Sequence, residues 1–219
     1  MRRVFIAVML LLVSPVASQL ASAQDGAPSQ TPTQQRERAP VPVPVSGGEA
    51  NLTPQNTTIQ FIGTHIGDRP DPRTGYFTKF TGQLTVDETN KALAGVEVDI
   101  DTLSLVTPIQ KLTNHLKSPD FFNARQYPKA TFQSTSVETT DADAGKYQIS
   151  GNLTIRDITK PITFPATMKL TRAGVVLNSK FKIQRSEFGM IFSPDRVHDD
   201  VAMTITVGQP TPKPERPTR

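Results

Sequence analysis

The chain has no cysteine. No disulfide can brace it, no thiolate can hold a metal, and no acyl chain can be attached to an N-terminal cysteine. A folded part must therefore be held together by burial alone. Histidine is also scarce: His65, His115 and His198 are too few and too scattered for a metal triad. There is no glycine-rich phosphate loop, and Ser186 lies outside any nucleophile-elbow context. The formal charge is +4, yet no basic stripe is interleaved with aromatics, so nucleic acid is not an expected partner. Neither catalytic residues nor a metal site is expected, and the protein reads as something other than an enzyme.

Long apolar runs are missing too. The longest, residues 4–13, has ten positions, where about 20 are needed to cross a bilayer. It follows Arg2 and Arg3 and precedes the small-residue triplet Ala21-Ser22-Ala23, the three-part layout of a secretory signal. We expect a signal peptide over residues 1–23 and a periplasmic or secreted product, with about +2 of charge once both arginines leave. Residues 24–51 are rich in Pro, Gln and Thr, with PVPVPV at 40–45, and read as a flexible linker. Residues 209–219 hold four prolines together with Lys213, Arg216 and Arg219. They read as a Pro-rich disordered tail, basic enough for transient membrane contact. One domain, residues 52–208, remains between the arms.

Inside that domain the hydrophobic period is two. Eight strands are expected. The first runs over residues 57–62, and in the second Phe80, Leu84 and Val86 share a face around Gly82. In the third, Val96, Val98 and Ile100 alternate with Glu97, Asp99 and Asp101, so the three acids should face water. Phe132 marks a fourth strand. Tyr147, Ile149, Leu153 and Ile155 mark a fifth, and Ile162, Phe164, Met168 and Leu170 a sixth. Val175, Leu177, Phe181 and Ile183 form a seventh, and Val201, Met203, Ile205 and Val207 an eighth. The links at 141–145, 157–161 and 172–174 are short enough for antiparallel neighbours and too short for crossover helices.

A single helix is expected over about residues 107–118. Thr107 stands at the N-cap, Pro108 at the first helical position and Gln110 at the capping-box position, with Ile109, Leu112 and Leu116 on one face. Pro119 ends it. The following stretch breaks the alternation with Phe121-Phe122 and Tyr127-Pro128, so it should cross the sheet or plug one end. One-faced strands of this number can form a sandwich or close into a barrel, and composition prefers neither.

Residues 56–67 (NTTIQFIGTHIG), followed by Gly75-Tyr76-Phe77, Phe80 and Gly82, resemble the opening of the YceI-like lipid/polyisoprenoid-binding family. Residues 96–101 and HLKSPDFFNARQYPKATFQS at 115–134 are similar to its middle block. Residues 151–156 with Thr159-Lys160-Pro161, and then RSEFG at 185–189, are similar to the later ones. The resemblance implies an all-β, eight-stranded antiparallel lipocalin-like barrel, with the short helix capping or crossing it and a long apolar tunnel inside. It also implies an exported bacterial protein that holds a polyisoprenoid or similar long-chain lipid. That lipid would be a ligand, and no cofactor is expected beside it. The chain departs from the family pattern at Thr113-Asn114, where an arginine-aspartate pair is common, and in an insert-like DRPDPRT at 68–74.

The candidate lipid-binding residues are Phe61, Phe80, Leu84, Val98, Phe121, Phe122, Phe132, Tyr147, Leu153, Phe164, Met168, Phe181 and Phe188. Alternation separates inside from outside but not cavity wall from packed core. A barrel with a filled core and no ligand, acting structurally or binding a partner, therefore stays open beside the carrier. So does the oligomeric state, a dimer included. The N-terminal layout yields a first prediction: N-terminal sequencing of protein from its native envelope should begin close to Gln24, and a sequence beginning at Met1 would refute export by cleavage.

Overall fold

Strands with one apolar face need that face covered, and here the sheet covers it by curling over itself. The computed structural model describes residues 39–67, 71–87, 89 and 91–212. The expected signal peptide, most of the linker and the basic residues of the tail lie outside these residues. Within them the chain forms β1 (Glu49–Leu52), β2 (Thr57–His65), β3 (Asp71–Phe77), β4 (Phe80–Asp87), β5 (Ala92–Asp101) and β6 (Leu105–Val106). After the helix α1 (Gln110–Leu116) come β7 (Lys129–Asp141), β8 (Lys146–Ile155), β9 (Ile158–Thr171), β10 (Gly174–Gln184) and β11 (Asp200–Val207). All eleven strands belong to one antiparallel sheet ordered β1-β4-β5-β7-β8-β9-β10-β11-β2-β3-β6.

The sheet does not close into the expected eight-stranded lipocalin-like barrel. It is an open half-barrel with edges 17 Å apart, whereas hydrogen-bonded strands stand about 4.8 Å apart. Three strands were missed for a common reason. β1 has four residues, β6 has two, and β3 (DPRTGYF) carries a proline and a glycine. None of them offers an alternation long enough to read.

β5 follows its pattern: Val96 and Val98 are buried, while Glu97 and Asp99 are exposed. Asp101 departs from it. Its carboxylate accepts from the Leu103 N–H at 2.9 Å and caps the 3-10 turn Thr102–Ser104, so the third acid of the row is half-buried.

The β8–β9 link is shorter than the expected 157–161. Arg156 and Asp157, with φ of 54° and 57°, make a two-residue hairpin with both residues left-handed, the backbone that matches strand twist. Residues 158–161 are therefore strand. The hairpin turns the Ile158 N–H toward β8, so by alternation the nitrogens of Pro161 and Pro165 face away from it. On that side β9 pairs with β10 only from Ala166 onward, and β10 beyond Ser179 pairs only with β11. The sheet forks here, and the fork carries prolines where no donor is needed. Ser179 donates to the Pro165 carbonyl at 2.6 Å at the branch point.

The helix is shorter than expected, because its start lacks the expected cap. Ile109 occupies the N-cap position without a side-chain bond. The Thr107 hydroxyl donates to the Ile109 carbonyl at 2.8 Å, accepts from the Ile109 N–H at 3.3 Å and contacts the Thr113 hydroxyl at 3.0 Å. The Thr107 N–H donates to that same Thr113 oxygen at 2.9 Å. Thr113 is thus the buried helix residue, and Ile109 is exposed. The expected plug is present: after α1 the chain turns through residues 118–127, burying Phe121 and half-burying Phe122.

The opposite end is closed by part of the expected linker. The Val43 N–H and carbonyl both bond Val175 at 2.8 Å, Val41 N–H donates to Gly208 at 2.7 Å, and Val43 is buried. The docked chain thus begins well before residue 52. Gly174 makes this docking fit. Its φ is 130°, and a Cβ there would stand 2.0 Å from the Val43 carbonyl oxygen. Gly174→Ala should cost about 2 kcal/mol or more through strain and clash, and expose residues 40–45 to protease. Urea denaturation and limited proteolysis measure both effects.

Candidate functional site: an apolar cavity with a basic mouth

The curled sheet encloses a cavity of about 210 Å³, far more than the roughly 10–15 Å³ that seats one water. Alternation builds its walls. β2 turns Ile59, Phe61, Gly63 and His65 inward, and β3, running the other way, presents Phe77, Gly75 and Arg73 beside them. β10 contributes Leu177, Ser179, Phe181 and Ile183 before reaching Arg185, and β11 contributes Val207, Ile205, Met203 and Val201. Each of these rows is apolar toward one end and becomes polar or ends at the other. The second end is the mouth, where α1 brings Leu112, His115 and Leu116.

Nine of the thirteen candidate residues line this cavity: Phe61, Leu84, Val98, Phe121, Phe122, Phe132, Leu153, Phe164 and Phe181. The other four are buried elsewhere. Phe80, Tyr147 and Met168 pack within the main apolar cluster, and Phe188 within a second cluster with Phe121, Ile155, Ile183 and Met190. The deep wall is aromatic: Phe164 stacks on Phe181 with ring centroids 4.3 Å apart and meets Phe132 at 5.3 Å. Phe122 meets Phe77 edge-on at 5.8 Å.

At the mouth the His115 ring stands edge-on to Phe121 and Phe192, at 5.1 and 4.9 Å, with Nε2 2.8 Å from Asp120 Oδ2. Phe192 was not a candidate, because it lies in the irregular stretch after Gly189 where no period marks it. Among the described residues no group of three or more metal-binding side chains comes together. His198 is exposed; its amide donates to Thr64, and its carbonyl accepts from Arg185.

Arg185 is the residue that fixes the mouth. It is 4 % exposed. Nε donates to the His198 carbonyl at 3.1 Å, Nη1 to Met190 at 2.5 Å and Nη2 to Val197 at 3.0 Å. Three carbonyls from a loop without regular structure are thereby satisfied, and the loop is held against the sheet. Burial pushes the guanidinium below its usual basicity, with the Asp199 carboxylate acting in the opposite sense; an arginine stays protonated regardless. The RSEFG stretch carried this residue in the sequence, but nothing in its spacing revealed the three partners.

These features define a class: an antiparallel half-barrel built around an apolar chamber with one polar end. The chain belongs to the YceI-like domain family, whose model matches residues 51–208. It is 43% identical over 94 residues to protein YceI of Escherichia coli O157:H7, an alignment covering 43% of this chain and 48% of that protein. The chain thus spans about half the length of such curated relatives. Among solved structures it is similar to Burkholderia cenocepacia BcnA, with a TM-score of 0.63 and 24% identity over 69% of this chain and 94% of that one. A polyisoprenoid-binding domain from Saccharophagus degradans shares the fold at a TM-score of 0.51 and 12% identity, over 70% and 94% of the two chains.

Replacing Arg185 with methionine should leave three inward carbonyls without donors and lower stability by about 3 kcal/mol. Arg185→Lys should recover little of that, since one ammonium cannot reach all three. Urea denaturation of the two variants checks both statements.

Proposed function

We propose that this protein is an exported, non-catalytic carrier that holds a polyisoprenoid or similar long apolar chain inside its half-barrel. The observation that carries the reading is the cavity, walled by aliphatic and aromatic side chains, with polar lining confined mostly to one end. An apolar chain needs no polar partner to bind there. Each buried methylene contributes about 0.8 kcal/mol, so ten supply roughly 8 kcal/mol, on the micromolar scale before ordering costs. Family membership and a shared fold with a polyisoprenoid-binding domain support the same reading. The N-terminal layout, with Arg2-Arg3 ahead of the apolar run and Ala21-Ser22-Ala23 after it, supports a periplasmic or secreted location.

Phe164 is the position that tests the wall. It is buried between Phe132 and Phe181 and lines the cavity. Phe164→Asn should weaken lipid retention by roughly five- to a hundredfold, because the amide finds no partner there, a cost of about 1–3 kcal/mol. Asp99→Asn should change little, since that carboxylate is exposed and its Lys129 contact, at 3.6 Å, is a surface pair. Native mass spectrometry and lipid extraction of gently purified wild type provide the reference. Protein that carries no extractable lipid and binds no prenyl or acyl probe would be a structural half-barrel and not a carrier.

A further inference from the structure

Among the described residues, every ionisable side chain lining the cavity is basic: His65, Arg73, His115 and Arg185, with no aspartate or glutamate beside them. All four lie toward the mouth. His65 ends the inward row of β2 and bridges Val197, whose carbonyl holds Arg185. Arg73 lies on the neighbouring strand opposite Gly63, and His115 reaches the mouth from α1 against Phe192. Resting on the carrier reading above, we propose that this mouth seats an anionic head group, a phosphate or a carboxylate, of the lipid whose tail occupies the cavity.

The carboxylates around the mouth do not remove the preference. Asp71 pairs with Arg73 and Asp120 with His115, but in both pairs each side chain is roughly 40–50 % exposed. Such pairs are weakly held, so an incoming anion competes on good terms. Arg185 differs from the other three. Asp199 is the acid that influences it, yet that carboxylate is bonded to the Ser186 amide and hydroxyl at 2.8 and 2.7 Å. Of five guanidinium N–H groups, three go to carbonyls, which leaves two. A cation compensated mainly by dipoles, in apolar surroundings, attracts an anion more strongly than it would in water. A hydrocarbon or alcohol end would draw on none of this charge.

The test compares tails that differ only in the head. Farnesyl phosphate and farnesol form one pair, palmitate and hexadecanol the other, each titrated into delipidated, processed full chain by displacement of a fluorescent acyl probe. At least one charged ligand should bind about tenfold tighter, or more, than its neutral partner, and which pair shows the larger gap distinguishes phosphate from carboxylate. Arg73→Gln, a half-exposed position whose loss does not threaten folding, should shrink that gap about three- to tenfold and leave the alcohols unchanged. Raising salt should shrink it as well. Equal affinities within both pairs, or a gap that neither Arg73→Gln nor salt reduces, would overturn the anionic mouth and leave the carrier standing. Failure of all four ligands to bind would overturn the carrier itself.

Discussion

An antiparallel sheet satisfies its backbone within the ladder, but it leaves one broad apolar face to be kept from water. Most domains cover that face with a second layer. Among the described residues there is one short α-helix, seven residues long, and no second sheet, so coverage has to come from curvature. Other features follow from that constraint. The strands bend until inward side chains of nearby strands meet over the concave face, as Phe132, Phe164 and Phe181 do. What they cannot fill remains as a cavity. The two ends, where a curled sheet has no wall, are covered by chain borrowed from outside it: the Val43 segment at one end, and residues 118–127 with the loop after Gly189 at the other.

The two ends are closed by different chemistry. The Val43 end is sealed with backbone hydrogen bonds and a buried valine, which suits a wall that stays shut. The mouth is held by a single guanidinium that gathers three carbonyls, alongside aromatic edge contacts around His115. An exposed Phe192 and Ile191 sit beside it. Polarity therefore changes along the cavity axis, and a bound amphiphile would have a preferred direction.

Much of this was legible in the chain because alternation is a local signal. Val96, Val98 and Ile100 against Glu97 and Asp99 could only be a half-buried strand, and the inward phenylalanines of β9 and β10 followed by the same count, whereas the facing of Phe132 in β7 did not. Elements that depend on distant partners were not legible. β1 and β6 are strands only because β4 and β3 lie beside them, and closure of the sheet is decided by the distance between them. Thr107 looked like a cap because Pro108 and Gln110 follow it, yet its hydroxyl engages Thr113. Pro161 looked like the end of a link, because a missing donor is usually a sign of loop; the fork between β9 and β10 made it harmless. Four candidates, Phe80, Tyr147, Met168 and Phe188, were placed inside correctly but not at the cavity, a distinction that packing alone makes.

The fork also bears on how an open sheet resists pairing with foreign strands. An open sheet has two unpaired edges, and a fork adds two half-edges in the middle of the wall, each an invitation to a foreign strand. The outer edges are short: four residues in β1 on one side, and on the other the two of β6 beside the remaining Asp71–Gly75 of β3, which carries Pro72. The first half of β9 is longer and would be the more dangerous surface, but Pro161 and Pro165 turn their donorless nitrogens toward the open side. A strand approaching there would find two of the bonds it needs already absent, so the same prolines that let the wall divide also make this half-edge a poor template.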